Sequence, residues 1–320
     1  MIKARVSKKI INPEVVSLGE PLLEFNAIES GPLSQVGNFA VGWGGDTSNF
    51  AVAVSRLGGN VGYICRIGGD EFGKVFDQLW KSEGIDTKHV VKENDSFTGI
   101  YFISRYEDTH QITYYRKDSA ASHLSPKDVP LDYITNAKIF HTSGISQAIS
   151  ESACEAVFYA IEVARKANVL VSYDPNLRLK LWEKDHAREI VMASIELSDF
   201  VFPSLEDAII LCGLEDPESI LKFFLEKGPR IIALKMGNNG VLLGAEEDIY
   251  YITPHKVKVV DTIGAGDAFD GGFVTAYLKG YSLRECARYA NIVAALTTTG
   301  YGAVRPIPSR GKVDPLFQKD

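Results

Sequence analysis

The chain lacks the residue patterns that announce several whole classes of protein. Its four cysteines, Cys65, Cys154, Cys212 and Cys286, are far apart and form no CxxC pair. That spacing speaks against a disulfide framework or a zinc site and reads as small apolar residues in a reducing compartment. The six histidines are equally scattered, and His141 in KIFHTSG reads as the end of a buried strand. No apolar run reaches the length of a membrane span. The basic start MIKARVSKKIINPE lacks the apolar stretch of a secretion signal. The formal net charge of −7 speaks against a general binder of nucleic acid or of membrane surfaces, while leaving room for a local basic site. No internal repeat, low-complexity tract or linker divides the 320 residues. What remains is a soluble cytoplasmic protein of ordinary globular make-up, 45% hydrophobic and 23% charged, long enough to bury a large core.

What is present is an alternation. EVVSLGE (14–20) reads as a short buried strand, and 21–42 as an irregular stretch broken at Pro21, Gly31, Pro32 and Gly37. GDTSNFAVAVSRLG (45–58) has helical spacing, with Thr47, Ser48 and Asn49 as N-cap candidates and Gly58 as a stop. Strand NVGYICRIG and helix DEFGKVFDQLWKSEG follow. Residues 97–117 then form two β-rich runs around a polar turn, a hairpin with no helix of its own. An isolated hairpin is marginal, so it needs a partner, and 21–42 is the obvious one. Alternation resumes with strands in AKIFHTSG, VLVSYDPN, DFVFPS and RIIALKMG and helices over 151–167, 184–197 and 205–212. GVLLGAEEDIYYITPH is β-rich, and helices over 266–280 and about 283–299, with a short turn at the end, close the chain. This order predicts a doubly wound, mostly parallel α/β sheet with binding loops at the C-terminal ends of its strands.

The stretch DTIGAGDAFDGGF (261–273) sets glycines around an acid, ahead of an apolar stripe through Ala268, Phe269, Phe273 and Tyr277. The first N–H groups of a helix have no partner inside it and point out of its N-terminus. Glycines at 264 and 266 permit unusual backbone angles and close approach of a ligand. The turn therefore reads as an anion hole, suited to charge that develops during phosphoryl transfer. A carboxylate at its rim can orient or deprotonate an attacking alcohol. The plainer reading makes Asp267 only a helix N-cap, and the four residues GAGD alone leave both open.

VVDTIGAGDAFDGGF resembles the second signature of the ribokinase-like (PfkB) family of sugar kinases, and GGDTSNFAVAVSRLGGNVGYICRIGGDEFGKVF (44–76) resembles the first. The resemblance covers essentially the whole chain. It implies a ribokinase-like α/β/α fold in one domain over 1–320, with a small β-sheet lid from about 21–42 and 97–117. It implies ATP and Mg2+ as cofactors, Asp267 as the base, and Gly264, Ala265 and Gly266 as the turn that stabilises the transferring phosphoryl group. Lys235, Gly237 and Gly240 in LKMGNNG resemble the nucleotide loop, and Asn291 in YANIVAAL the position beside the adenine. Without the resemblance, KMGNNG reads as a hairpin turn. Where the family often carries Asn-x-x-Glu, this chain has PSLEDA, which puts Ser204 at a nucleotide position and Asp207 at a metal position, with Glu206 as a possible substitute. A helix N-cap followed by first-turn acids explains SLED equally well. Some relatives hold a monovalent cation near Asp261 and Thr262. The lid edges often pair between subunits, which implies a homo-oligomer.

Substrate choice rests on the lid and on the GGDTSN turn. Gly44 and Gly45 let the backbone approach the substrate, while Asp46 and Asn49 can bond to sugar hydroxyls, Asp46 also being able to cap the helix. An isolated surface arginine is ordinarily a solvated charge. By resemblance, however, Arg116 in YYRKDSAASHLSP and Arg178 in DPNLRLKLW both map onto the substrate cleft, and a carboxylate rewards bidentate arginine. With Tyr101 and Tyr114 they are similar to the branch that phosphorylates 2-keto-3-deoxygluconate, although Leu177 stands where that branch often has tyrosine. The rival substrates are a neutral sugar or a nucleoside. A non-catalytic sugar or nucleotide sensor is the rival of a different class, and the intact GAGD argues against it.

Overall fold

The computed structural model describes residues 12–106, 109–245 and 248–318, so the basic N-terminal stretch through residue 11 and the polar hairpin tip at 107–108 lie outside them. β1 (Val15–Leu18) is buried at every position, as expected of a central parallel strand. The stretch that reads as irregular in sequence supplies two strands, β2 (Leu22–Ala27) and β3 (Phe39–Gly44). Its breakers Gly31, Pro32 and Gly37 occupy the connection between the two strands, while Leu23, Phe25, Phe39, Val41 and Trp43 alternate along them.

α1 (Asp46–Arg56) differs from expectation at its start, because the N-cap is Gly45, with φ +94° and no side-chain cap. A Cβ there would run into the carbonyl of Glu20, so only glycine fits. Thr47 and Ser48 turn inward instead and bond to the Tyr63 hydroxyl (2.9 Å) and the Trp80 indole N–H (2.9 Å). β4 (Val61–Gly68) and α2 (Glu71–Glu83), the latter capped by Asp70, follow as the sequence predicts. β5 (Asp86–Glu93) was not expected, since it is a half-exposed strand at the sheet edge whose polar DTKHVVKE gives no clear alternation. β6 (Ile100–Tyr106) and β7 (Thr109–Tyr115) form the hairpin.

The second half runs through α3 (Leu131–Thr135), β8 (Ile139–Ser143), α4 (Gly144–Ala148), α5 (Glu151–Lys166), β9 (Leu170–Asp174), α6 (Lys184–Glu196) and the two-residue β10 (Phe200–Val201). Then come α7 (Leu205–Cys212), α8 (Pro217–Leu225), β11 (Ile231–Lys235), β12 (Val241–Ala245), β13 (Asp248–Ile252), α9 (Ala265–Leu278), α10 (Leu283–Thr297) and α11 (Arg310–Phe317).

The large sheet has nine strands in the order β13-β12-β11-β10-β9-β8-β1-β4-β5, parallel except for the β11–β12–β13 meander. Alternate side chains feed the two faces. Val15 and Tyr63 pack with residues of α1, α9 and α10, while Val16, Ile64 and Phe140 pack with residues of α5. The chain leaves β1 for β4 on one side and later returns through β8 on the other. The C-terminal ends of β1 and β8 therefore form the switch point where open α/β sheets bind ligands. The small sheet, in the order β3-β2-β6-β7, is antiparallel apart from its β2–β6 pair. Its inner face brings Leu22, Tyr101 and Tyr114 against Ile263 beside that switch point.

Cys65 and Cys286 are buried, Cys154 and Cys212 half-buried, and all four are free thiols. His141 lies within β8, buried and stacked on Phe50 at 3.6 Å, and burial depresses its pKa to about 3, so it is a neutral core residue. Among the described residues no helix is long and apolar enough to cross a membrane.

Candidate active site

A cleft of about 580 Å³ opens at the switch point. The segments after β1, β8, β9 and β10, the end of β11, the start of α9 and the inner face of the small sheet all contribute to its walls. Of the residues singled out in sequence, Gly45, Asp46, Asn49, Tyr101, Tyr114, Arg116, Arg178, Ser204, Asp207, Lys235, Gly237, Gly264, Gly266 and Asp267 line it, as do Glu206 and Thr262.

At the head of α9, Gly264 takes the left-handed conformation, φ +79°, and serves as the N-cap. Asp267 sits three residues further on, inside the first turn, and makes no side-chain cap. Its Oδ2 instead accepts a hydrogen bond from Asn49 Nδ2 on α1 at 2.7 Å. The N-cap reading of Asp267 is therefore excluded. Burial, with the Asp46 carboxylate adding to it and the Asn49 bond opposing, lifts the Asp267 pKa to about 7. A carboxylate with that pKa is matched to taking a proton from an alcohol near neutrality. Asn49 Oδ1 is buried without a protein partner, an acceptor facing the same region.

Asp46 is held from both sides. Its Oδ1 accepts from the Thr47 N–H (2.8 Å) and its Oδ2 from Asn176 Nδ2 (2.9 Å). Asn176 was not singled out in sequence. It has φ +35°, and its N–H bonds to Asp174 Oδ1 at 3.0 Å, a turn that DPN encodes at the end of β9.

Lys235 lies under the Gly264–Asp267 turn rather than out on a loop. Its ammonium is buried between Asp174 Oδ2 (3.0 Å) and Asp270 Oδ1 (3.1 Å). Burial alone would lower its pKa, but the two carboxylates more than offset that and hold it above the ordinary value. Burial would likewise raise Asp174, yet Lys235 brings its pKa below the usual range. For Asp270, burial wins over Lys235, and Asp174 pushes the same way, so its pKa lies above the usual carboxylate range. A Cβ on Gly266 would stand 3.3 Å from Lys235 Nζ, so glycine there lets the ammonium approach the turn.

Tyr101 and Tyr114 stack at 5.8 Å on the small sheet, with the Arg116 guanidinium 5.5 Å from the Tyr114 ring. Gly44 lies behind the Tyr101 ring, where any Cβ would collide with the phenol. Arg116 is ion-paired with the fully buried Glu20, and its Nε is buried without a partner. Arg178, exposed on the opposite wall, donates to the Leu177 carbonyl at 2.9 Å. Leu177 itself is buried in the core beneath and does not line the cleft.

Ser204 caps α7 by accepting from the Asp207 N–H (3.1 Å), as the plainer reading of SLED requires, and Asp207 Oδ2 accepts from the Leu177 N–H (3.2 Å). Burial, and after it Asp174, raises the Asp207 pKa. KMGNNG forms the β11–β12 turn. Gly237 reaches the cleft, whereas Gly240, φ +78°, is packed against the Ile252 carbonyl. Asn291 is also outside the lining and donates to the Thr253 carbonyl at 2.6 Å. Asp261 is fully buried and already accepts from the Ile263 N–H (3.1 Å), the Gly302 N–H (3.1 Å) and Arg105 Nη2 (3.3 Å).

Residues 12–310 match the model of the pfkB family carbohydrate kinases. The chain is 33% identical over 304 residues to the 2-dehydro-3-deoxygluconokinase of Bacillus subtilis, covering 94% of each chain. It is 32% identical over 316 residues to fructokinase-1 of Zea mays, covering 95% of this chain and 98% of the maize enzyme. A ribokinase II candidate from E. coli, solved in complex with ATP and Mg2+, superposes with a TM-score of 0.90 at 26% identity, over 96% of this chain and 100% of that one. With the two signatures folded into one cleft, this chain belongs to the PfkB family of carbohydrate kinases and is a phosphotransferase acting on a sugar hydroxyl.

Proposed function

We propose that the protein transfers the γ-phosphoryl group of ATP to the terminal hydroxyl of 2-keto-3-deoxygluconate, giving the 6-phosphate. The observation that carries this choice is Arg178, an exposed guanidinium on the cleft wall that makes no ion pair among the described residues. A sugar carboxylate suits it, since guanidinium and carboxylate match in geometry as well as charge. Arg116 contributes differently, because Glu20 offsets its charge, but its unpartnered Nε is a donor that a sugar oxygen can satisfy. The Bacillus subtilis relative supports the same substrate.

In this reading Asp267 takes the proton of the attacking hydroxyl, and Asn49 keeps that carboxylate aimed. The N–H groups of Ala265, Gly266 and Asp267, shaped by Gly264, receive the charge of the transferring group. Lys235, fixed by Asp174 and Asp270, adds positive charge beneath them. The nucleotide lies toward Ser204 and Gly237, with Gly240 and Asn291 shaping the wall behind. The E. coli neighbour supports ATP and Mg2+ as the pair used. Among the described residues no group of three metal-ligating side chains is present. Magnesium needs none, since it binds through one or two carboxylates, water and phosphates. Glu206 and Asp207 at the cleft fit that role, and the ion supplies charge neutralisation on the phosphates. The exposed Val41 and Tyr115 of the small sheet support a homo-oligomer through that sheet, which a molar mass from light scattering checks by finding more than one copy.

The neutral ketose is the second reading. The maize fructokinase is nearly as similar, and the Arg116–Glu20 pair leaves one guanidinium without an ion pair rather than two. ATP consumption across sugar acids, ketoses and nucleosides decides. Turnover of fructose with none of the keto-deoxy acid rejects the first reading. Arg178→Ala is the variant to use, because Arg116 also balances a buried carboxylate. It is expected to cut kcat/KM for the sugar acid about tenfold to a hundredfold, the scale of a charged hydrogen bond, and to spare neutral sugars.

A further inference from the structure

Glu24, on β2, is a carboxylate only 2% exposed, and it forms no ion pair among the described residues. It has two hydrogen-bond donors, the Tyr101 hydroxyl to Oε2 at 2.6 Å and Asn26 Nδ2 to Oε1 at 3.4 Å, and it packs against Gly302, next to Ala303. Two glycines make room for it, since a Cβ on Gly42 or Gly302 would lie 3.0 or 2.8 Å from Oε1.

Its neighbours belong to two different parts of the site. Tyr101 is a wall of the cleft. Ala303 backs the anion-hole turn, for its carbonyl oxygen and Cα lie 2.8 and 2.9 Å from where a Cβ of Gly264 would be. Glu24 itself lines a separate cavity of about 550 Å³ behind the cleft, so it acts through its neighbours rather than on the sugar.

We infer that Glu24 is the positioning residue that ties the sugar-binding wall at Tyr101 to the segment bracing the anion hole at Gly264. The inference rests on the cleft being the sugar site and not on which sugar fills it. A buried carboxylate bonded to Tyr101 and packed against Gly302 has little freedom to move. It therefore sets the distance between sugar wall and phosphoryl turn, a distance to which transfer rates are sensitive.

The test is a kinetic cycle on the intact enzyme, with whichever sugar it turns over best. Tyr101→Phe removes the phenol bond and is expected to raise the sugar KM about threefold to tenfold, the scale of one hydrogen bond, with kcat little changed. Glu24→Ala is expected to raise the sugar KM as much, to lower kcat about tenfold more, and to leave the ATP KM alone. In the double variant the KM effect does not add, whereas the kcat loss persists through the lost contact with the Gly302–Ala303 segment. Glu24→Gln keeps the size and an acceptor oxygen, and rescues kcat to within about threefold. If Glu24→Ala does not fold, Glu24→Asp, one methylene shorter, reads the same split at smaller amplitude. An unchanged kcat in Glu24→Ala or Glu24→Asp, or equal rises in the sugar and ATP KM values, overturns the inference. A silent Tyr101→Phe instead rejects the placement of the sugar against Tyr101.

Discussion

Asn49 Nδ2 donates to Asp267 Oδ2 across 2.7 Å, joining the first turns of two helices 218 residues apart in sequence. The bond fixes which carboxylate oxygen stays free. Asn49 holds Oδ2, so Oδ1 is the one left to face the hydroxyl in the proposed reaction.

The raised pKa of Asp267 gives this arrangement a pH signature. Below about 7 the carboxyl is protonated and cannot accept a proton, so kcat/KM is expected to rise with pH through about 7 and then level off. The stability term has the opposite sign. The folded-state pKa lies above the unfolded value of about 3.9, so the folded chain binds the extra proton between those limits. That stabilisation is complete below the unfolded pKa and is lost as pH rises through about 7. Asp267→Asn is expected to cost about 10²–10⁴ in kcat and to flatten the activity profile. It is also expected to narrow the fall in Tm between pH 5 and pH 8. A wild-type profile already flat between pH 6 and pH 8 contradicts the assignment.

The buried triplet of Asp174, Lys235 and Asp270 makes a second prediction. Lys235→Met strands an ionised Asp174 in the interior, which ordinarily costs about 3–5 kcal/mol. Burial and Asp174 push the Asp270 pKa up, which favours its neutral form, so Asp270→Asn is expected to cost less, about 1 kcal/mol. Chemical denaturation of the two variants measures the difference. Equal losses would mean that Asp270 is ionised.

These contacts mark the boundary of what the sequence displays. The alternation of strands and helices, the two signatures and the hairpin in need of a partner were all legible, because each is a local pattern. β5 was not, since an edge strand half in water need not alternate. Nor was the pairing of 22–27 with 39–44, whose intervening breakers mask the period. Gly45 as the cap of α1 depends on the Glu20 carbonyl, from another strand. Lys235 reads from sequence as part of a nucleotide loop, and only the fold places it between two carboxylates 61 and 35 residues away. Asn176 and Glu24 carry no motif that periodicity detects, because their partners come together only in the tertiary structure. Leu177 illustrates the converse: at the position where the resembled branch often has tyrosine, this side chain faces the core.

Gly264 provides the last prediction. Its φ of +79° is strained for any L side chain, and a Cβ would lie 2.8, 2.9 and 3.0 Å from the carbonyl oxygen, Cα and Cβ of Ala303. Gly264→Ala therefore has to displace either the anion-hole turn or the segment behind it. Backbone strain alone costs roughly 1–2 kcal/mol, and Gly58 separates that term from the local one. Gly58 has φ +89° but meets nothing nearer than the Arg310 side chain at 3.7 Å, away from the cleft. Gly58→Ala is expected to lower Tm with kcat unchanged. Gly264→Ala is expected to lower Tm at least as much and, in addition, to cut kcat by about 10²–10³, the usual cost of a lost oxyanion donor. If the two variants lose stability alike and both keep full turnover, the turn at Gly264 does not stabilise the transferring phosphoryl group.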